Sequence, residues 1–161
     1  MAIRTILTKG DPALNKMCHP VTKFDQKLWE LLDDLKETLA KANGLGLAAP
    51  QVGILRRAVI VVNDDGEMLE LVNPEIVDQK GEQDGLEGCL SVPGLWGYVK
   101  RPAWVKVKAQ DRGLDFEGFD MLPQEAEAAE EAEKELKATC CGRSSSVIGA
   151  ATACQNTDYL I

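Results

Sequence analysis

Residues 87–94 contain the chain's clearest candidate for chemistry. They place Cys89 between a glycine and a leucine, in the order Glu-Gly-Cys-Leu-Ser-Val-Pro-Gly. A deprotonated cysteine is a nucleophile and a soft metal ligand, and the preceding glycine allows a ligand or another backbone to approach closely. The alternative interpretation is a buried structural cysteine, because free cysteine is among the most buried residue types.

Residues 44–53 form a second unusual stretch, with the sequence Gly-Leu-Gly-Leu-Ala-Ala-Pro-Gln-Val-Gly. Its small side chains leave the backbone amides accessible to a bound ligand. Gln51 is its one strongly hydrogen-bonding side chain, and its amide N–H groups are suited to stabilising a developing oxyanion. The stretch lacks the lysine and hydroxyl pair of a phosphate loop. The alternative interpretation is that small residues only let a strand pass close to a helix.

Length and composition restrict the classes of protein. The chain has 161 residues, the length of one domain, and no apolar run approaches a membrane span of about 18 residues. The first residues lack the apolar core of a secretory signal, so we expect a cytoplasmic protein. Its five cysteines are an odd number, and in that compartment we expect them to be thiols rather than disulfides. The net charge of −8 argues against direct nucleic-acid binding, and no membrane partner is expected.

The elements that must position these two stretches follow from periodicity. Leucines three and four residues apart predict a helix over residues 25–43, with Asp25 as its N-cap and Asn43-Gly44 as its end. A further helix over residues 124–137 is predicted from propensity alone. Apolar and β-branched runs favour strands, interrupted at Asn73-Pro74, over residues 3–7, 58–62, 68–72, 75–79, 97–99 and 104–109.

Together the two stretches resemble a known family. Residues 44–51 resemble the G-x-G-x-A-A-x-Q motif of peptide deformylases, and residues 87–91 resemble their E-G-C-L-S motif. The spacing between the motifs also agrees, and the likeness runs from residue 1 to about residue 113. The resemblance implies an α+β fold in which antiparallel β-strands surround a helix.

The resemblance also implies a reaction and its site residues. The family removes the formyl group from the N-terminal formyl-methionine of nascent polypeptides, with Fe(II), or Zn, Ni or Co, held by one cysteine and two histidines. By this resemblance Cys89 is the metal ligand, while Gln51 and the backbone N–H of Leu90 stabilise the oxyanion. Leu45 and Gly46 contact the substrate. N-formyl-methionyl peptides are the implied partners, and the ribosome is a further partner by analogy.

The family's third motif, H-E-x-x-H, has no counterpart here. His19 is the only histidine in the sequence, so two metal ligands and the general acid/base glutamate are missing. Residues 1–114 carry 15 basic and 16 acidic residues, whereas residues 115–161 carry 3 and 10. We therefore predict an incomplete deformylase-like domain over residues 1–113. Residues 114–161 are predicted to be a divergent, acidic and low-complexity tail, partly helical and weakly ordered, that replaces the catalytic C-terminal helix.

The resulting functional hypothesis is a peptide-deformylase-like protein whose metal binding and activity are impaired. Two alternatives stay open at this point. The first is a non-catalytic binder of formyl-methionyl or methionyl N-termini, and the second is a truncated or frameshifted remnant. A thiol-based role for Cys89 would need a basic partner, and the sequence provides none near it.

Overall fold

The computed structural model describes residues 2–63 and 65–112, and the backbone of residues 132–137. These ranges contain one α-helix, seven β-strands and two short 3₁₀ turns, Pro12–Asn15 and Ala49–Val52. The helix and strands are α1 (Gln26–Ala42), β1 (Gly46–Ala48), β2 (Ala58–Val62), β3 (Met68–Lys80), β4 (Gln83–Cys89), β5 (Val92–Arg101), β6 (Trp104–Gln110) and β7 (Ala132–Lys137). No helix in these ranges is long and apolar enough to span a membrane.

Helix α1 begins and ends where the sequence predicts. The Asp25 carboxylate accepts a hydrogen bond from the Leu28 amide at 3.1 Å, which satisfies one of the unpaired N–H groups of the first turn. Asn43 ends the helix in the left-handed conformation, with φ 55°, which asparagine tolerates better than most residues. The leucine face is buried, and Leu32, Leu35 and Leu39 are fully inaccessible to solvent.

The strands form two antiparallel sheets. The larger sheet has the order β1-β2-β3-β6-β7, and β4 and β5 form a separate two-stranded sheet. Alternate residues of the larger sheet point to opposite faces. One face packs against α1 through Leu47, Ala58, Ile60 and Val72. The other face carries a second apolar cluster that contains Ala48, Val59, Val61, Leu71, Val105, Val107 and Ala109. The predicted α+β fold of antiparallel strands and a helix is confirmed.

Strand β3 differs from the sequence-based prediction. Two short strands separated at Asn73-Pro74 were expected, but Met68–Lys80 is one strand of 13 residues. Asn73 has φ 51°, and the pairing with β6 shifts register between Val72 and Glu75. A bulge therefore absorbs the proline, which has no N–H for the sheet. The strand prediction for residues 3–7 is also wrong, because the structure has no strand there.

Part of the predicted helix over residues 124–137 is a strand instead. Residues Ala132–Lys137 form β7, which pairs antiparallel with β6 from Trp104 opposite Lys137 to Ala109 opposite Ala132. The edge of β6 offers unpaired backbone groups, and pairing with them outweighs a helical propensity that comes from side chains alone. Residues 114–131 and 138–161 of the predicted tail, which include the rest of this predicted helix, lie outside the described residues. The domain boundary at residue 113 stays a prediction.

Candidate functional site

The structure brings Gln51 and Cys89 together, although 38 residues separate them. Gln51 lies in the 3₁₀ turn Ala49–Val52, directly after edge strand β1, and Cys89 is the last residue of β4. The Gln51 Nε2 atom is 4.0 Å from the Cys89 Sγ atom. Gln51 is only 6% exposed, whereas Cys89 is half-buried and accessible to a small ligand. An amide donor and a thiol therefore meet at one point of the surface.

The Gln51 side chain is oriented by its hydrogen bonds. The Ala48 amide donates to Oε1 at 3.0 Å, and an amide N–H can only donate, so the oxygen must be the atom that faces it. The opposite atom, Nε2, donates to Ser91 Oγ at 3.1 Å. Ser91 is 1% exposed, so this contact is shielded from water. Gln51 therefore presents its donor group, not its acceptor, to the region around Cys89.

The N-terminal segment ties the two motifs together. The Leu7 amide donates to the Gln51 carbonyl oxygen at 2.8 Å, and the Lys9 amide donates to the Ser91 carbonyl oxygen at 2.8 Å. Each bond reaches a different motif, and only one residue separates the two donors. The segment therefore acts as a backbone clip between the turn that carries Gln51 and the end of the strand that carries Cys89.

Leu90, a predicted oxyanion donor, is held by packing against Gly44. A Cβ atom at Gly44 would lie 2.8 Å from Leu90 Cδ1 and 3.0 Å from Leu39 Cδ1. Glycine at this position therefore makes room for the Leu90 side chain, which packs against the core cluster around α1. Because that side chain is anchored, the Leu90 backbone beside Cys89 has a defined position.

Leu45 and Gly46, the predicted substrate contacts, lie at a sheet edge close to this region. Gly46 begins β1, the outermost strand of the larger sheet, and pairs with Val61 on its inner side. The Leu45 carbonyl oxygen accepts from the Val62 amide at 2.9 Å, while its side chain is 38% exposed. Among the described strands none pairs with the outer edge of β1, where the Ala48 amide is already used by Gln51 Oε1.

The β4–β5 hairpin completes the site. A Cβ atom at Gly88 would lie 3.1 Å from the Trp96 ring, so glycine allows this ring to lie close over the strand. Glu87 and Arg101, on neighbouring strands, form a half-buried ion pair at 3.2 Å. This pair leaves no uncompensated charge on Glu87, the residue two positions before the cysteine.

The described residues do not fit the metal that the resemblance implies. Within residues 2–63 and 65–112, no group of three or more histidine, cysteine, aspartate or glutamate side chains is placed to hold an ion. His19 is exposed and lies in a loop whose backbone pairs with Leu55 and Arg57. A catalytic zinc or iron site takes three protein ligands, and Cys89 supplies one.

Sequence reasoning missed two features of the site. Ser91 stood inside the quoted motif without a role, although a buried hydroxyl two residues after the cysteine was a usable signal. The clip formed by Leu7 and Lys9 had no signal at all, because backbone donors are the same in every residue except proline.

The class of protein is thus an antiparallel α+β fold in which a cysteine at the end of a strand faces a glutamine amide. Comparison with known proteins then gives the family. The sequence profile described as polypeptide deformylase matches residues 3–129. The peptide deformylase of Caldicellulosiruptor bescii is 56% identical over 112 residues, which cover 70% of this chain and 67% of that protein. The peptide deformylase of Agathobacter rectalis is 49% identical over 130 residues, covering 81% and 77%.

A solved structure agrees with these relatives. The crystal structure of peptide deformylase from Thermotoga maritima superposes with a TM-score of 0.78 at 30% identity, covering 96% of this chain and 92% of that one. The chain belongs to the polypeptide deformylase family, and the predicted family membership is confirmed.

Proposed function

We propose that this chain is a peptide-deformylase-like protein that receives N-formyl-methionyl N-termini between Gln51 and Cys89, and whose hydrolytic activity is impaired. The observation that carries the proposal is a mismatch between two halves of the site. The first half, the hydrogen-bond donor, is present and oriented, because the Gln51 amide is fixed by hydrogen bonds at both its oxygen and its nitrogen. The metal half has one ligand, Cys89, among the described residues.

The hydrogen-bond donors of the site suit recognition of a formyl group. Gln51 Nε2 and the Leu90 N–H are donors for the formyl oxygen, and donors that are already oriented need little reorganisation when a ligand binds. The free edge of β1 at Gly46 accepts the extended peptide backbone, and Leu45 contacts the methionine side chain. The ribosome, as the source of nascent chains in the cytoplasm, is a further proposed partner.

The lack of further metal ligands among the described residues is the reason to expect impaired hydrolysis. A formyl amide needs an activated water, and in the family this is the task of Fe(II), or Zn, Ni or Co. One thiolate is too few ligands for tight binding of such ions. The sequence also has no H-E-x-x-H glutamate to act as the general acid/base. We therefore expect the chain to bind its substrate without efficient turnover.

Formate release tests this proposal. Formyl-Met-Ala-Ser is incubated anaerobically with the protein and with Fe(II), Ni(II), Co(II) or Zn(II) in turn, and formate is measured. The Caldicellulosiruptor bescii relative is the positive control, and a Cys89→Ala variant sets the background. We expect no release above that background with any metal. Release that depends on Cys89 would overturn the impaired activity and would require ligands outside the described residues.

A second candidate function is non-catalytic binding of the same N-termini, and the preset Gln51 amide favours it. Calorimetry with formyl-Met-Ala-Ser should then give a measurable Kd that Gln51→Ala weakens about tenfold, the loss expected for one hydrogen bond in a shielded site. Equal affinity of the parent and variant proteins would argue against this function. A thermal transition without cooperativity would instead favour the alternative that the chain is a truncated or frameshifted remnant.

A further inference from the structure

We propose that Ser91 is a positioning residue for Gln51: its hydroxyl accepts one Nε2 hydrogen and thereby directs the other towards Cys89 and the ligand oxygen. The orientation of the amide follows from contacts within the chain. The further step, that the second hydrogen serves a formyl oxygen, rests on the proposed function.

The rotation of the Gln51 amide needs an external constraint. The terminal torsion of glutamine is broad and nearly two-fold, so its rotamer preference does not decide which way the N–H groups point. Ala48 fixes the oxygen end at 3.0 Å, and Ser91 Oγ fixes the nitrogen end at 3.1 Å. Of the two Nε2 hydrogens, one is then used by Ser91, and the remaining direction leads to Cys89 Sγ, 4.0 Å away.

Ser91 is itself a fixed point, as a positioning residue must be. It is 1% exposed, it directly precedes β5, and its carbonyl oxygen is held by the Lys9 amide at 2.8 Å. If Ser91 lost its hydroxyl, Gln51 Nε2 would be a buried donor without that acceptor, and the amide would turn to find another one.

The test uses Ser91→Ala with a matched control, Thr38→Val. Thr38 is 2% exposed, and its hydroxyl donates to the Asp34 carbonyl oxygen at 2.6 Å and accepts from the Arg4 amide at 3.0 Å. Both variants remove one buried hydroxyl, but only Ser91 contacts Gln51. If Ser91→Ala does not fold, Ser91→Cys keeps the side-chain shape with a slightly larger thiol, which is a much weaker acceptor.

The first readout is the side-chain amide of Gln51 in ¹⁵N NMR spectra, assigned by its loss in Gln51→Leu. In the parent protein, we expect its hydrogens to exchange with water more slowly than those of Gln26, which is exposed. Ser91→Ala should shift these signals and accelerate their exchange about tenfold, and Thr38→Val should leave them unchanged. Unchanged Gln51 signals in Ser91→Ala, or equal changes in both variants, would overturn the positioning role.

The second readout is selectivity for the formyl group, measured as the ratio of the Kd for Met-Ala-Ser to that for formyl-Met-Ala-Ser. We expect Ser91→Ala to lower this ratio about five- to tenfold and Thr38→Val to keep it. A ratio that Ser91→Ala leaves unchanged would refute the step to the ligand. If the parent protein binds neither peptide, the proposed function fails, and the NMR result alone decides whether Ser91 positions Gln51.

Discussion

The body of the molecule and the β4–β5 hairpin are built on different principles. In the body, α1 packs on the larger sheet, and residues such as Leu32, Leu35 and Ile60 are fully buried. In the hairpin, Trp96 is 69% exposed and Tyr98 is 83% exposed. The body is therefore stabilised by an apolar core, whereas the hairpin depends on its strand pairing and on a few contacts near Cys89.

The candidate site lies where these two regions meet. Gln51 belongs to the body and Cys89 to the end of the hairpin, and the contacts between them are specific. They are the hydrogen bond from Gln51 to Ser91, the clip from Lys9, and the packing of Leu90 against Gly44. A rigid region thus supplies the amide donor, and a less buried region presents the thiol. The effects of substitutions in the two regions should therefore differ in size and in how far from the substituted residue they extend.

The largest effect is expected in the core, from Leu35→Ala. This side chain is fully buried in the cluster between α1 and the sheet, so the change removes apolar burial and leaves a cavity. We expect the free energy of unfolding, measured by urea denaturation, to fall by about 2–5 kcal/mol.

The matched change in the hairpin is Leu86→Ala. Leu86 is 55% exposed and lies opposite Tyr98, so the change should alter the free energy of unfolding by no more than about 0.5 kcal/mol. A loss as large as that of Leu35→Ala would show that the exposed hairpin face is covered in the folded protein, and the contrast between the regions would be lost.

An intermediate effect is expected where the regions meet, from Gly44→Ala. The new Cβ would lie 2.8 Å from Leu90 and 3.0 Å from Leu39, so one of these side chains must move. Overpacking of this kind costs about 1–3 kcal/mol. Because Leu90 follows Cys89, the rate at which iodoacetamide alkylates Cys89 should also change. Gly85→Ala is the control, since nothing lies within 4 Å of a Cβ there, and it should alter neither quantity.

The sequence was most informative about α1 and the pairing of the two motifs. The leucine spacing and the signals at Asp25 and Asn43 are local, and local patterns fix a helix that has one buried face. Gln51 and Cys89 were paired by resemblance to a family. The bond between Gln51 and Ser91 spans 40 residues, and no local pattern encodes it. Only the folded backbone brings such polar atoms within reach.

The failures of sequence reasoning concern places where pairing overrides propensity. Residues 132–137 have a helix-favouring composition, yet their backbone lies in the sheet beside β6. Asn73-Pro74 carries a signal that normally ends a strand, yet β3 continues past it. The Asn73 side chain replaces the lost pairing by bonding the Val21 amide at 2.7 Å and the Val21 carbonyl at 2.9 Å. In both cases a neighbouring strand or loop offers hydrogen bonds that outweigh the local preference of the sequence.

A modest, pH-dependent effect is expected at Asp34, which ties the N-terminal segment to α1. Its carboxylate accepts from the Ala2 amide at 2.6 Å and from Arg4 Nε at 2.9 Å. Burial is the largest single influence and raises the pKa of Asp34, but the bonds from Ala2 and Arg4 and the charge of Arg4 outweigh it. The pKa of Asp34 therefore lies below its ordinary value of 3.8.

This shift sets the sign of a pH effect. A carboxylate whose pKa is lower in the folded state stabilises the fold fully above the unfolded value, and that contribution is lost as the pH falls from about 3.8 through the lower folded pKa. Asp34→Asn should cost about 1 kcal/mol of unfolding free energy at pH 7 and progressively less in acid.

Urea denaturation from pH 7 to pH 2 measures the difference between the parent protein and Asp34→Asn. Glu30→Gln, at an exposed position on the same helix, should retain the pH dependence that Asp34 confers. A difference that stays constant with pH would mean that Asp34 acts through shape and hydrogen bonding rather than charge.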